Sequence, residues 1–181
     1  VTINMQLHND CEKILYTKEQ IEKTVEALAE RINNDYKGQT VLAVCILKGA
    51  SVFYSDLIRK LNMDVRLDFM SVSSYGNATD SSGDVCIRKD LDVSIKDMHV
   101  LIIEDIVDSG LTMSYLMENL RARGPKSINI CSLMDKPSRR KTSIDVKYSG
   151  MEIPDAFVVG YGLDFAERYR NLPYIAVLKE E

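Results

Sequence analysis

Two stretches of this chain are continuously apolar and rich in β-branched residues, 41–47 ("VLAVCIL") and 100–103 ("VLII"), and 127–134 ("SINICSLM") reads as another buried strand. A strand with one face in water alternates polar and apolar residues. A continuous apolar run instead suits a strand covered on both faces, as in a parallel sheet flanked by helices. The segments after the runs support this. "KGAS" leads from 41–47 into a helical pattern with Val52, Phe53, Leu57, Ile58 and Leu61 as its apolar residues. After 100–103 a second helix is predicted over about 111–123, ending at "RGP". A first helix is announced by Thr17 and Gln20, the spacing of a capping box, and continues through Ile21, Val25, Leu28 and Ile32 to about Asn34. The repeated order of strand, loop and helix predicts an α/β fold built on a parallel sheet.

Further strands are predicted between and after these. The segment 65–73 alternates, with Val65, Leu67 and Phe69 on one face of a half-buried strand; others are predicted near 85–88, 99–104, 146–148, 157–160 and 174–178. Between them, 74–84 ("SYGNATDSSGD") has the composition of a long polar loop, uncommon in a compact domain unless functional or disordered. With 181 residues the chain reads as one domain, 1–181. Its net charge of -4 and pI near 5.3 disfavour a general nucleic-acid surface. Cys11, Cys45, Cys86 and Cys131 are widely separated and form no CxxC, so neither a disulfide framework nor a zinc site is expected, and a reducing cytoplasm fits. No apolar run approaches the length of a membrane span, and no signal peptide is visible.

In open α/β sheets ligands gather beyond the carboxyl ends of strands. Lys48, Glu104, Asp105, Lys136 and the residues after Val159 are predicted there. The stretch 104–112 ("EDIVDSGLT") poses a contradiction. "DSGLT" has the makings of a phosphate cradle: backbone N–H groups at a helix start, Gly110 for close approach, and the hydroxyls of Ser109 and Thr112. Yet three carboxylates, Glu104, Asp105 and Asp108, stand beside it. A ribose 5-phosphate satisfies both demands, with its phosphate in the turn and its hydroxyls on the acids, which could also support Mg²⁺ through water. The plainer alternative is a helix cap formed by Asp108 or Ser109.

Four hydrophobic residues, "ED", two more hydrophobic residues and "DSGLT" resemble the phosphoribosyl pyrophosphate (PRPP) signature of type I phosphoribosyltransferases. "LKG" (47–49), "SSYGN" (73–77), "LMDKPSRR" (133–140), "PDAFVVGYGLD" (154–164) and "ERYRNLPYI" (167–175) further resemble the hypoxanthine-guanine phosphoribosyltransferases, in order along nearly the whole chain. The resemblance implies a type I phosphoribosyltransferase fold: a parallel-sheet core flanked by helices, with a small hood from the N-terminal segment and about 160–181. It implies transfer of the 5-phosphoribosyl group from PRPP to N9 of hypoxanthine or guanine, giving IMP or GMP and pyrophosphate, with Mg²⁺ as cofactor. Family members assemble as dimers or tetramers.

Carried over residue by residue, the resemblance implies that Glu104 and Asp105 hold the ribose hydroxyls and that Asp108 is the general acid/base facing the purine N7. Asp108, Ser109, Gly110, Leu111 and Thr112 would form the 5′-phosphate loop. Lys136 would donate to the purine O6, Phe157 would stack on the base, and Val158 would touch it through its backbone. Asp164, with Glu104 and Asp105, would hold Mg²⁺, and Arg170 would clamp pyrophosphate. Leu47, Lys48 and Gly49 would offer backbone groups to the pyrophosphate, across a bond that is cis in some members. Ser74 and Tyr75 would ride on a closing lid. Without the family, Phe157 reads as a core aromatic and Arg170 as a helix-face charge. Two rivals stand beside this reading: a sister enzyme for xanthine or adenine, adenine being disfavoured by a lysine donor opposite an amino group, and an RNA-binding regulator of the same fold using the basic cluster "KPSRRK" (136–141).

Overall fold

A computed structural model describes residues 6–74 and 85–179. In chain order the elements are β1 (Cys11–Tyr16), α1 (Lys18–Asp35), β2 (Thr40–Leu47), α2 (Ser51–Ile58), β3 (Asp64–Ser74), β4 (Val85–Lys89), β5 (His99–Val107), α3 (Leu111–Arg121), β6 (Ser127–Asp135), β7 (Tyr148–Glu152), β8 (Val158–Val159) and β9 (Ile175–Leu178). Two sheets result. The larger has the order β4-β3-β2-β5-β6-β7 and the smaller β1-β9-β8.

In the larger sheet β3, β2, β5, β6 and β7 run parallel, and β4 is an antiparallel edge on β3. The apolar runs are its central strands, and alternate residues of each feed two different cores. Val41, Ala43, Cys45, Leu101, Ile103, Cys131 and Leu133 pack with α1 and α2. Leu42, Val44, Ile46, Val100, Ile102 and Ile130 pack with Met113, Leu116, Met117 and Leu120 of α3. Burial on both faces is why these strands show no alternation. α1 begins at the predicted capping box: Gln20 N–H donates to Thr17 Oγ1, and Thr17 N–H donates to Gln20 Oε1 at 2.9 Å.

The small sheet is the expected hood, built from both ends of the chain around Cys11, Val159, Tyr169, Tyr174 and Ala176. Its strand β1 was not predicted. Its ladder with β9 is irregular at two places, which blurs the alternation a sequence pattern needs. Four other expectations are corrected. On β3 the fully buried residues are Asp68 and Met70, whereas Leu67, on the face predicted to be the apolar one, is 50% exposed. β7 lies over 148–152 rather than 146–148, and α2 stops before Leu61. β5 does not end at Glu104: it pairs with β6 through Val107↔Asp135, so both acids lie inside the strand. All four cysteines are free; burial pushes the Cys45 thiol up to about 12, which keeps it an inert core residue. No described helix is long and apolar enough to cross a membrane.

Candidate active site

The carboxyl ends of β2, β5 and β6 open into a cleft of about 810 Å³, lined among others by Leu47, Gly49, Glu104, Asp105, Asp108, Lys136, Phe157, Val158, Asp164 and Arg170. A smaller hollow of about 210 Å³ adjoins it, lined by Ser109, Gly110, Thr112 and Met113 and sharing Glu104, Ile106 and Asp108 with the cleft. The sheet thus gathers residues 47 to 170 into one place. Leu111 belongs to the same turn. Ser74 is the last residue of β3, and Tyr75, with the rest of the 74–84 loop, lies outside the described residues.

The smaller hollow is the start of α3. The N-cap is Gly110, at φ +80 and with no side-chain cap hydrogen bond, so neither Asp108 nor Ser109 caps this helix. Only glycine takes that backbone conformation without strain. The first intrahelical bond here is Ser114 N–H to Gly110 O at 2.8 Å. The N–H groups of Thr112 and Met113 therefore lack helical partners, and Leu111 N–H has only a long contact of 3.4 Å to Ser109 Oγ. Unused N–H groups at the positive end of a helix make an anion site.

Glu104 and Asp105 are adjacent on β5, and Asp105 N–H donates to Glu104 Oε1 at 3.0 Å. Glu104 lines both hollows; Asp105 lines only the large one. Burial, with Asp105 beside it, pushes the Glu104 carboxyl well above the usual range, and burial raises Asp105 as well. Gly49 is there because Asp105 is: a Cβ on it would fall 1.8 Å from Asp105 Oδ2. The Leu47–Lys48 peptide is cis. The Lys48 side chain turns outward to Glu167, 2.9 Å away, leaving the backbone of this loop to face the cleft.

Lys136 is 6% exposed, and its ammonium donates to Ala156 O at 2.8 Å. No carboxylate partner is found for it among the described residues, so its other protons remain for a ligand's acceptor. Phe157 is not a core aromatic. It is 55% exposed over the cleft and meets Phe165 edge to face at 5.5 Å. Arg170 is on no helix: it comes after Tyr169, at φ +77, in the hood turn. Its Nη1 donates to Gly162 O at 2.8 Å, Nη2 lies 2.9 Å from Asp164 Oδ1, and its buried Nε has no partner among the described residues. Glu104, Asp105 and Asp164 all line the cleft, but among the described residues no three His, Cys, Asp or Glu side chains cluster closely enough to hold a metal alone. All-oxygen donors on two walls, with positions left open, still suit Mg²⁺, which takes one or two carboxylates and completes its shell with water and substrate phosphates.

Sequence reasoning missed Arg139, Asp155 and Phe165. Arg139 lies on a one-turn 3₁₀ helix (Pro137–Arg139) and bridges Asp108 and Asp155, each at 3.0 Å; Arg140 pairs with Asp135. Of the basic cluster 136–141, Lys136 is buried and Arg139 and Arg140 are paired with carboxylates, which leaves little free positive charge for the basic face an RNA-binding regulator requires.

The family described as phosphoribosyl transferase domain matches residues 12–166. A hypoxanthine-guanine phosphoribosyltransferase of Bacillus subtilis (strain 168) is 55% identical over 96% of this chain and 96% of its own length. The chain belongs to the hypoxanthine-guanine phosphoribosyltransferase family. The crystal structure of a hypoxanthine phosphoribosyltransferase from Staphylococcus aureus superposes with a TM-score of 0.93 at 48% identity, covering 98% of this chain and 96% of that one. A bifunctional protein TilS/HprT of Listeria innocua is 47% identical over 98% of this chain, which spans 28% of that longer protein. As in this family generally, the chain is a transferase of α/β architecture with a parallel central sheet.

Proposed function

We propose that the chain is a purine salvage enzyme that transfers the 5-phosphoribosyl group of PRPP to N9 of hypoxanthine or guanine, releasing pyrophosphate. The observation that carries the reading is the juxtaposition of three things in the cleft and the hollow that adjoins it: a helix start with unused N–H groups, a carboxylate pair beside it, and a buried lysine with protons to give. The first suits a 5′-phosphate, the second suits ribose hydroxyls, and the third suits the O6 of a 6-oxopurine.

In this reading the N–H groups of 110–112 hold the 5′-phosphate, and Glu104 and Asp105 accept from the ribose hydroxyls. Phe157 stacks on the base while Phe165 supports its edge. Val158 approaches the base through its backbone. Lys136 selects a carbonyl over an amino group, which argues against adenine. As the bond from C1′ to pyrophosphate lengthens, negative charge grows on the leaving group and positive charge on the sugar. Arg170 stabilises the first with its planar fork, together with the backbone of 47–49. The carboxylates near the ribose stabilise the second. Asp108 takes the proton that the purine loses. Glu104, Asp105 and Asp164 are the residues that would hold Mg²⁺, which when bound neutralises charge on the pyrophosphate. Ser74 and Tyr75 belong to the segment that would close over the site and keep water from the sugar cation. The same reading places the chain in the cytoplasm, as one domain over 1–181 in a homodimer or homotetramer.

Turnover with PRPP and Mg²⁺ against hypoxanthine, guanine, xanthine and adenine tests this. Activity on the first two and little on adenine is expected. No turnover with any 6-oxopurine overturns it, and xanthine as the best substrate moves the chain to the sister activity.

A further inference from the structure

The pyrophosphate side of the cleft comes from two separate parts of the chain: the 47–49 loop that leads into α2, and the hood turn that carries Arg170. Something must fix the distance between them. The hood turn meets the 47–49 loop at Gly162, where a Cβ would fall 2.1 Å from Gly49 O, so the two backbones are in direct contact just ahead of α2. Gly162 O is also the acceptor for Arg170 Nη1 at 2.8 Å, and Gly162 N–H donates to Arg170 O at 2.9 Å. The residue immediately before Gly162 is Tyr161. It is 8% exposed and sits at φ +49, a conformation that side-chain-bearing residues rarely adopt and that persists only where the surroundings hold it. Two bonds hold it. Its N–H donates to Leu172 O at 2.8 Å, within the hood, and its hydroxyl donates to Asp56 Oδ2 at 2.5 Å, on α2. Asp56 is itself placed by Arg59 through its other oxygen, Oδ1.

We propose that Tyr161 and Asp56 form a latch that positions the hood turn on α2 and thereby sets Arg170 and the 47–49 backbone at pyrophosphate-binding distance. Both are positioning residues: neither lines the cleft, and they act through Gly162. The proposal rests on the assignment of Arg170 to pyrophosphate under the proposed function. It ascribes to the latch an effect on the leaving-group end of the site and little on the base end: Lys136 follows β6, and Phe157 is anchored ahead of the turn, its carbonyl accepting from Leu178 N–H at 3.0 Å, so only the edge contact of Phe165 reaches the base end from the turn.

The probe is inorganic pyrophosphate with Mg²⁺, titrated calorimetrically into the full chain. Tyr161→Phe removes only the hydroxyl, and should weaken pyrophosphate binding by roughly tenfold, about 1.4 kcal/mol. Where turnover is measurable, KM for PRPP should rise by a similar factor while KM for hypoxanthine stays unchanged. Asp56→Ala should reproduce the defect. Asp56→Asn, which keeps an acceptor oxygen for the tyrosine, should restore near-normal binding although it loses the Arg59 ion pair. Equal losses toward pyrophosphate and purine, a fall in Tm with binding intact, failure of the Asn variant to rescue, or no pyrophosphate binding by the unsubstituted protein would each overturn the latch. The 6-oxopurine reading fails separately, by absence of turnover in the unsubstituted protein, and the pyrophosphate titration is read independently of it.

Discussion

Arg139 Nε lies 3.0 Å from Oδ1 of Asp108, the carboxylate that faces the cleft from the end of β5. The guanidinium holds the residue proposed to move the purine's proton, and α3 is capped by Gly110 instead. Asp108→Asn should therefore lower kcat by about 10²–10⁴-fold, the usual worth of general acid–base catalysis. Tm and PRPP affinity should change little, since no cap is lost and the phosphate is held by backbone N–H groups. Single-turnover rates and PRPP titration on this variant check both halves; normal chemistry would remove Asp108 from the mechanism.

Glu104 and Asp105 are neighbouring buried carboxyl groups, and burial raises both. Such a pair costs stability that its function requires. The double variant Glu104→Gln, Asp105→Asn should raise Tm at neutral pH. It should also weaken PRPP binding strongly, at about 1.5–3 kcal/mol for each hydrogen bond to a charged group. Thermal melts and calorimetry with Mg²⁺ measure the two effects. Unchanged PRPP affinity would sink the ribose assignment.

Lys136 is buried, with Ala156 O as its hydrogen-bond acceptor. A charge buried without a counter-ion is expensive, so its replacement by an apolar residue of similar length is tolerated. Lys136→Met should keep or raise Tm while lowering turnover on hypoxanthine and guanine and narrowing their advantage over adenine. A 6-oxo preference that survived intact would place the selectivity elsewhere.

Away from the site, Lys147 and the Tyr148 hydroxyl hold the Asp35 carboxyl below its ordinary value of 3.8. A carboxyl with a depressed folded pKa adds stability at pH above its unfolded value, and that stability is lost as pH falls through the folded one. Asp35→Asn should therefore reduce Tm at neutral pH and flatten the decline of Tm below about pH 4, the range of an ordinary aspartate. Melting curves from pH 7 down to pH 3 provide the comparison. Parallel curves for the two proteins would exclude the linkage.

Some of this molecule was written in local pattern. The runs at 41–47 and 100–103 announced central parallel strands because burial on both faces leaves no polar alternation. Thr17 and Gln20 announced the start of α1 because a capping box is made within four residues. "EDIVDSGLT" announced a tight, glycine-bearing turn into α3 beside acids at the end of a strand, because those residues are contiguous in the chain. The motifs after β2 and β6, and those of the hood, were legible through their resemblance to a family.

Tertiary structure decided the rest. β1 stayed hidden because its partner β9 lies at the other end of the chain and the ladder between them is irregular. That Gly110 caps α3 depends on its φ of +80, which residue type permits but does not dictate. Phe157 could not be told from a core aromatic until the cleft beneath it was in place. Arg139 looked like one basic residue among several until the fold set Asp108 and Asp155 on either side of it. The tie between Tyr161 and Asp56 joins residues 105 positions apart, and no local periodicity records such a contact. Sequence determined most of the strands and helices of the large sheet, because those depend on neighbours along the chain. Which side chains meet across the cleft depends on packing between segments, and only the folded chain determines that.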